Sequence, residues 1–242
     1  MIYTPLEQFS IVSIVPIRFG NVYLSFTNSS LYLFFATGLV ILLFYLVTQN
    51  GGFLVPSRWQ SLVEMIYEFV VSLVDEQIGA KGRKFFPLIF TTFVFLLFTN
   101  LIGMIPYSFT FTSHIIVTLA LAMGVFIFVT ILGFVKHGIK FFGFFVIPGL
   151  PFYMLPLLIP IEVISYLSRP VSLSVRLFAN MLAGHTLLKV FAGFVSALGF
   201  FGILPLVFII ALTGLEILIA FLQAYVFAIL TCLYINDALH LH

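Results

Sequence analysis

Charged residues are scarce in this sequence. Asp, Glu, Lys and Arg make up 7% of its 242 residues, whereas 62% are hydrophobic and the mean hydropathy is +1.26. Soluble domains carry about 25% charged residues, so this composition excludes a soluble domain and predicts a chain whose solvent is lipid. The net charge of +2 supplies no strong basic field, which excludes nucleic acid as a partner.

The sequence also has little cysteine and no phosphate-binding motif. The single cysteine, Cys232, excludes an intrachain disulfide framework. The sequence contains no G-x-x-x-x-G-K-[ST] phosphate loop, so we expect the chain to bind no nucleotide and to perform no nucleotide chemistry itself. We likewise expect no metal and no cofactor.

The uncharged stretches between clusters of charge predict membrane spans. A first transmembrane helix is predicted over 31–48. The segment 85–135 has no Asp, Glu, Lys or Arg, and it is too long for one span of about 20 residues, so it predicts a helical hairpin. A second hairpin, predicted over 148–237, has arms longer than one span, so its helices must tilt or bend.

An amphipathic helix is predicted over 57–79. Apolar residues recur there every three or four positions, and acidic residues occupy the opposite face. This helix would lie on the membrane surface or on a partner. The sequence therefore predicts an all-α membrane protein, a single integral membrane domain over 1–242. It would have about five membrane-embedded helices plus one amphipathic surface helix, and the last two helices would form a long tilted antiparallel hairpin.

Basic residues predict the orientation of the chain. Lys81, Arg83 and Lys84 precede the first hairpin, and Lys136 and Lys140 follow it. An even number of spans separates the two clusters, so they share a side, which the positive-inside rule makes the matrix or cytoplasm. The N-terminus is then outside and the last helix ends inside.

The long hairpin carries ionisable residues at regular spacing. An ionisable residue within a membrane costs at least about 2.5 kcal/mol on insertion scales and is a functional-site hypothesis by default. On the first arm such residues are seven apart, and on the second the spacings are seven and fourteen, which keeps each set on one helix face. The first set is Glu162, Arg169 and Arg176; the second is Glu216 and Asp237, with the neutral polar residue Gln223 between them.

An antiparallel hairpin also predicts which of these residues lie at equal depth, because their residue numbers then add to a nearly constant value. The resulting pairs are His185 with Glu216, Arg176 with Gln223, and Glu162 with Asp237.

Arg176 is predicted to be a fixed cation near the middle of the membrane. Arginine does not release its proton, so Arg176 can attract a carboxylate but cannot relay a proton. No acid of this chain clearly lies at its depth, which makes a carboxylate on another subunit its natural ligand. Histidine side chains ordinarily titrate near neutrality. His185 lies nine residues further, on the opposite helix face, so it would line a separate aqueous path toward Glu216.

Three stretches carry a family resemblance: SLSVRLFANMLAGHTLLKVF, GLEILIAFLQAYVFAIL and NLIGMIPYSF. They resemble subunit a of the F-type ATP synthase in its mitochondrial form, and the likeness extends from Pro5 to Ala238. The His-then-Glu order at 185 and 216 looks mitochondrial, although alphaproteobacterial relatives look similar.

The resemblance implies a proton-translocating stator subunit of the ATP synthase membrane sector, with two offset aqueous half-channels. It implies that Arg176 is the essential arginine facing the carboxylate of the c-subunit ring. Asn180, His185, Glu216 and Gln223 would line the outer half-channel, and Glu162 and Asp237 the inner one.

The resemblance also implies partners and a location. The partners are the c-subunit ring, peripheral stalk subunit b and other small membrane subunits, within the lipid membrane. The location is the mitochondrial inner membrane, with the N-terminus in the intermembrane space and the C-terminus in the matrix.

Simpler roles compete with these assignments. Arg176 could snorkel to a membrane edge, His185 could be a packed core histidine, and Glu162 and Asp237 could be interfacial acids. Asn180 and Gln223 could hydrogen-bond between helices, as could two weaker channel-wall candidates, Asn100 and His114. Arg169 and Lys189 could contact headgroups or support the site. For the whole chain the rivals are a self-contained secondary transporter and a structural subunit of another respiratory complex.

Overall fold

A computed structural model of the chain describes residues 7–19, 22–23, 25–49, 55–105, 108–145, 153 and 155–239. Four stretches in it are long and apolar enough to cross a membrane, and the last of them spans two helices. The predicted all-α membrane fold is confirmed. Its helices are α1 (Asn28–Thr48), α2 (Arg58–Gln77), α3 (Phe86–Gly103), α4 (Ile115–His137), α5 (Leu155–Leu198) and α6 (Ile203–Leu239). Short 3₁₀ turns cover Glu7–Phe9, Ala80–Phe85, Phe111–Ser113, Gly138–Phe145 and Gly199–Gly202.

Two small antiparallel ladders precede α1, and the sequence analysis did not predict them. Strand β1 (Ser13–Val15) pairs with β4 (Phe26–Thr27), and β2 (Arg18–Phe19) pairs with β3 (Val22–Tyr23). Strands of two or three residues are too short to produce a recognisable alternating pattern.

Helix α1 begins three residues before the predicted start because a capping box fixes its first turn. Thr27 Oγ1 accepts a hydrogen bond from the Ser30 amide at 3.4 Å, and Ser30 Oγ accepts one from the Thr27 amide at 2.9 Å. These contacts satisfy two of the backbone donors that a helix N-terminus otherwise leaves unpaired.

Helix α2 is amphipathic and packs its apolar face against the bundle. Ser57 caps it by accepting from the Gln60 amide, and Val63, Val70, Leu73 and Val74 are buried against α1, α3 and α6. Its acids at 64, 68 and 76 are exposed. The surface helix thus rests on the chain's own helices.

The core lies where α3, α4 and α6 meet the first half of α5. Four small residues of α6, spaced four apart, are fully buried: Ala220, Ala224, Ala228 and Cys232. Small side chains at this spacing let helix backbones approach closely within a membrane. The α3–α6 contact is therefore tight and fixes α6 against the rest of the bundle.

The long hairpin consists of α5 and α6, with 44 and 37 residues, joined by a turn at Gly199–Gly202. Gly199 has φ +56°, a left-handed conformation that favours glycine. At 1.5 Å per residue α5 is about 66 Å long, roughly twice the thickness of the hydrocarbon core. Pro160 and Pro170 lie within α5. Lys136 Nζ donates to the Leu239 carbonyl at 2.7 Å, so α4 and α6 end side by side.

Candidate functional site in the long hairpin

Arg176 lies on an exposed face of α5. Its neighbours Leu173, Ser174 and Leu177 are buried against the rest of the bundle. Within the described part of the chain the ion pairs are Arg83–Asp75 and Arg169–Asp237, so Arg176 has no acidic partner there. The guanidinium therefore faces outward from the bundle, toward whatever packs against this face.

Glu216 of α6 is buried, with 7% of its surface exposed, and it lies directly against Gly184 of α5. A Cβ atom added to Gly184 would overlap Oε1 of Glu216 and approach its Cδ to 2.9 Å. His185 follows Gly184, so the two arms bring His185 and Glu216 to the same level, as the hairpin register predicts.

His185 and Glu216 each have a buried polar atom without a hydrogen-bond partner among the described residues. His185 Nε2 and Glu216 Oε2 are shielded from solvent, and neither has a hydrogen-bond partner among the residues that the structure describes. Buried polar atoms without a partner are uncommon in proteins and call for an explanation. An imidazole nitrogen and a carboxylate oxygen in this condition can each take up a proton.

The two amide residues of the predicted outer half-channel are half-buried. Asn180 lies on α5 and Gln223 on α6, and neither side chain hydrogen-bonds to another residue in the described ranges. The structure thus gives no support to the simpler interpretation that they bond across the two helices.

Arg169 and Asp237 form an ion pair toward the other end of the hairpin. Arg169 Nη1 lies 2.9 Å from Asp237 Oδ2. The guanidinium carbon of Arg169 lies 5.5 Å from the ring centre of Tyr166 and 5.1 Å from that of Tyr234. Glu162, one heptad before Arg169, is half-buried and has no ion-pair partner within the described residues.

The sequence predicted that Glu162 and Asp237 lie at equal depth, not that they bond. Asp237 forms its ion pair with a residue one heptad later on α5, which the long side chain of Arg169 reaches because side chains of a helix tilt toward its N-terminus. Glu162 and Asp237 therefore have different surroundings.

Two buried polar contacts hold the hairpin in position. Asn100 Nδ2 donates to the Ala220 carbonyl at 3.4 Å, and Asn100 Oδ1 accepts from Thr112 Oγ1 at 3.0 Å. The hydroxyl oxygens of Thr118 and Ser174 lie 3.1 Å apart. Ala220 is one turn from Glu216, and Ser174 is two residues from Arg176, so both contacts are close to the site.

Asn100 is fully buried, and its place in this network favours a core role over the channel-wall one. His114, the other weak channel-wall candidate, stacks on Phe109 with ring centres 5.2 Å apart.

Sequence reasoning did not identify Gly184, which lies against Glu216, or the two tyrosines, Tyr166 and Tyr234, whose rings lie beside Arg169. The glycine beside His185 was a usable signal, because a glycine within a helix costs stability unless close packing requires it.

The family of the chain follows from comparison with known proteins. A family model described as ATP synthase A chain matches residues 30–236. The chain belongs to the ATP synthase A chain family. It is 55% identical over 252 residues to ATP synthase subunit a of Marchantia polymorpha, with 100% of both chains covered.

Other relatives in the ATP synthase A chain family are similarly close. Subunit a of Pelagibacter ubique (strain HTCC1062) is 54% identical over 244 residues, covering 100% of both chains. That of Chelativorans sp. (strain BNC1) is 55% identical over 243 residues, covering 98% of this chain and 97% of the relative. The resemblance to subunit a of the F-type ATP synthase is thereby confirmed. Because bacterial relatives match as well as others, the match does not by itself assign the mitochondrial form.

Membership of the ATP synthase A chain family makes this chain a proton-translocating subunit of the ATP synthase membrane sector. The helices agree with that role, since four apolar stretches make it a multi-pass membrane protein.

Proposed function

We propose that this chain provides two offset aqueous half-channels and that Arg176 faces the ion-binding carboxylate of a c-subunit ring. Proton flow through the half-channels would drive rotation of the ring and ATP synthesis elsewhere in the complex. The family match supports the proton-translocating role as such, and the specific residues below are proposed from their positions in the hairpin.

The outer half-channel is proposed to lead past Asn180, His185, Glu216 and Gln223. A proton reaching this level finds two groups that can bind it, the unpaired Nε2 of His185 and the unpaired Oε2 of Glu216. Transfer onto a ring carboxylate makes that group neutral. A neutral carboxylic acid enters lipid at a far lower cost than a carboxylate, so the ring can then turn into the bilayer.

The inner half-channel is proposed to contain Glu162 and Asp237. After nearly a full turn the ring carboxylate returns to Arg176, whose fixed positive charge favours the ionised form and so favours release of the proton. Arg176 also separates the two half-channels, because a proton passing along the membrane would meet a cation that cannot give up its own proton. A membrane potential supplies about 2.3 kcal/mol per charge per 100 mV to this cycle.

One observation carries the proposal most directly: the exposure of Arg176 without an acidic partner in the described part of its own chain. A charged side chain within a membrane almost always has a partner or faces a water-filled cavity. Arg176 faces outward between the levels of Glu216 and Asp237. This position suits a carboxylate of another subunit that approaches Arg176 and then moves away as that subunit turns.

The proposed location is the mitochondrial inner membrane, with the N-terminus in the intermembrane space and the C-terminus in the matrix. The order of His185 and Glu216 supports the mitochondrial form, and the basic residues at the start of α3 and the end of α4 support the orientation. Proposed partners beyond the c-ring are peripheral stalk subunit b and other small membrane subunits.

The test is Arg176→Ala in the assembled complex, with Arg58→Ala as the matched control, since Arg58 is an exposed arginine of α2 away from the site. We expect Arg176→Ala to abolish coupled ATP synthesis and ATP-driven proton pumping while the complex still assembles on a native gel. Arg58→Ala should leave both activities unchanged. Coupled synthesis that survives Arg176→Ala would overturn the proposal.

The same variant separates the rival functions. A purely structural subunit predicts failed assembly or little effect. A self-contained transporter predicts that the purified chain alone, reconstituted into vesicles, conducts protons or takes up solute without any ring. We expect neither result.

A further inference from the structure

The two arginines of α5 lie on nearly the same helix face but differ in their partners. Arg169 and Arg176 are seven residues apart, which places them about 20° from each other around the helix and about 10 Å apart along it. Arg169 is bonded to Asp237 of α6, whereas Arg176 is exposed and has no acidic partner in the described ranges. One of the two charges is thus compensated within the chain.

The surroundings of Arg169 hold its charge in a fixed place. Its side chain is 23% exposed and that of Asp237 is 39% exposed, so the pair is only partly open to its surroundings. The rings of Tyr166 and Tyr234 lie within cation–π distance of the guanidinium. Tyr166 is itself fixed, because its hydroxyl lies 2.8 Å from Thr130 Oγ1 on α4. Three helices therefore define one position for this ion pair.

We infer that Asp237 acts as the permanent counterion of Arg169, and that this pairing leaves Arg176 as the uncompensated arginine that α5 presents to the ring. This inference rests on the proposed function and refines the part that Asp237 has in the inner half-channel. Arg169 is then a positioning residue. It binds no ring carboxylate, because Asp237 already compensates its charge.

The physical reason is competition for the ring carboxylate. Without Asp237, two guanidinium groups about 10 Å apart would face the same side of α5, and each would attract the carboxylate in a medium that screens charge poorly. The carboxylate would then have two resting places, and the step past Arg176 would slow. Asp237 removes the second resting place. Glu162, which has no described ion-pair partner, remains the inner acid that is available to carry protons.

A double-variant experiment distinguishes a counterion from a proton carrier. The variants are Asp237→Asn, Arg169→Gln, and both together, each measured in membrane vesicles containing the assembled complex. For Asp237→Asn we expect ATP-driven proton pumping to slow by about tenfold, because a partly buried cation has lost its partner. For the double variant, which removes both charges, we expect pumping to recover to at least about threefold above that of Asp237→Asn, since no surplus cation remains.

The outcome that would overturn the inference is a double variant that assembles but pumps as poorly as Asp237→Asn. That result would mean that an ionisable group at 237 is required in itself. Undiminished pumping by Asp237→Asn would equally overturn it, as would a double variant that fails to assemble although both single variants assemble, which would make the pair structural. Arg169→Lys offers a further check, since a conserved charge should retain pumping.

The exposed pair Asp75–Arg83 provides a matched control elsewhere in the chain. Its bonds are as short as those of Arg169–Asp237, with Arg83 Nη2 2.8 Å from Asp75 Oδ2. We expect Asp75→Asn, Arg83→Gln and their combination to pump at the rate of the unchanged complex. Failure of the proposed function would be recognised separately, by coupled synthesis that survives Arg176→Ala.

Discussion

Gly184 of α5 lies directly against the carboxylate of Glu216 of α6. An added Cβ atom at position 184 would overlap Oε1 of Glu216 and would lie 2.9 Å from Cδ and 3.2 Å from Cγ. The carboxylate therefore occupies the space that a side chain at 184 would fill. Its place next to His185 depends on a residue that has no chemistry of its own.

Gly184→Ala is accordingly expected to displace the Glu216 carboxylate. Overpacking a buried contact costs about 1–3 kcal/mol, and a shift of the carboxylate by that overlap would slow proton transfer at this level by about tenfold or more. The measurement is ATP-driven proton pumping in vesicles whose content of assembled complex has been determined on a native gel.

Two further variants test the steric explanation. Gly193→Ala, on the same helix, introduces the same atom where no neighbour lies within 4 Å, so pumping should be unaffected. Adding Glu216→Asp to Gly184→Ala shortens the carboxylate and should restore part of the lost rate. Equal pumping by Gly184→Ala and Gly193→Ala would show that the close contact has no functional weight.

Glu216→Gln tests whether the buried carboxyl must take up and release a proton. Glutamine has nearly the same shape and size as glutamate, so the packing against Gly184 should survive. Its amide, however, does not take up and release a proton near neutral pH. We expect loss of coupled synthesis with normal assembly. Glu68→Gln, at an exposed position of α2, should have no effect. Substantial pumping by Glu216→Gln would remove Glu216 from the proton path.

Much of this site could be predicted from the sequence because it depends on periodicity. The apolar stretches predicted the helices, and the level of His185 with Glu216 follows from a tight turn and helical rise, which vary little between proteins. The lack of an acid at the depth of Arg176 could also be read from the sequence, since it needs only residue identities and approximate depth.

The ion pair of Arg169 with Asp237 could not be predicted in the same way. It depends on the direction and the reach of a long arginine side chain, which can bond to any of several groups near its level. The close contact of Gly184 with the Glu216 carboxylate depends on the distance between two helix backbones. Both are properties of tertiary packing, for which spacing along the chain provides no measure.

Asn100→Ala is expected to destabilise the bundle next to the site. The buried amide donates to the Ala220 carbonyl and accepts from Thr112 Oγ1. Its removal leaves the buried Thr112 hydroxyl without its acceptor, at about 1–3 kcal/mol, while the Ala220 carbonyl keeps its bond within α6. The expected result is a lower midpoint for heat-induced dissociation of the detergent-solubilised complex. Thr91→Ala is the control, because the exposed Thr91 hydroxyl bonds to the Pro87 carbonyl of its own helix and to no other described residue. Equal midpoints for the two variants would contradict the assigned role of Asn100.

The connection from α2 to α3 is expected to loosen in acid. Arg83 donates two hydrogen bonds to Asp75, at 2.8 and 3.0 Å, and they hold the pKa of Asp75 below its ordinary value of 3.8. A carboxyl whose pKa is lowered by folding stabilises the folded state above its ordinary pKa and loses that contribution as the pH falls through the lowered value. Because the pair is exposed, we expect a small and local effect that added salt weakens further.

Hydrogen exchange of peptides covering 75–85 measures this effect in the solubilised complex. Protection relative to α3 should fall between about pH 5 and pH 3 in the unchanged protein, whereas Asp75→Asn should show low protection that no longer depends on pH in this range. Glu76→Gln alters the next acid along the chain, which has no ion-pair partner among the described residues, and should retain the normal pH dependence. A pH dependence that follows Glu76 rather than Asp75 would show that the Arg83 contact does not fix this connection.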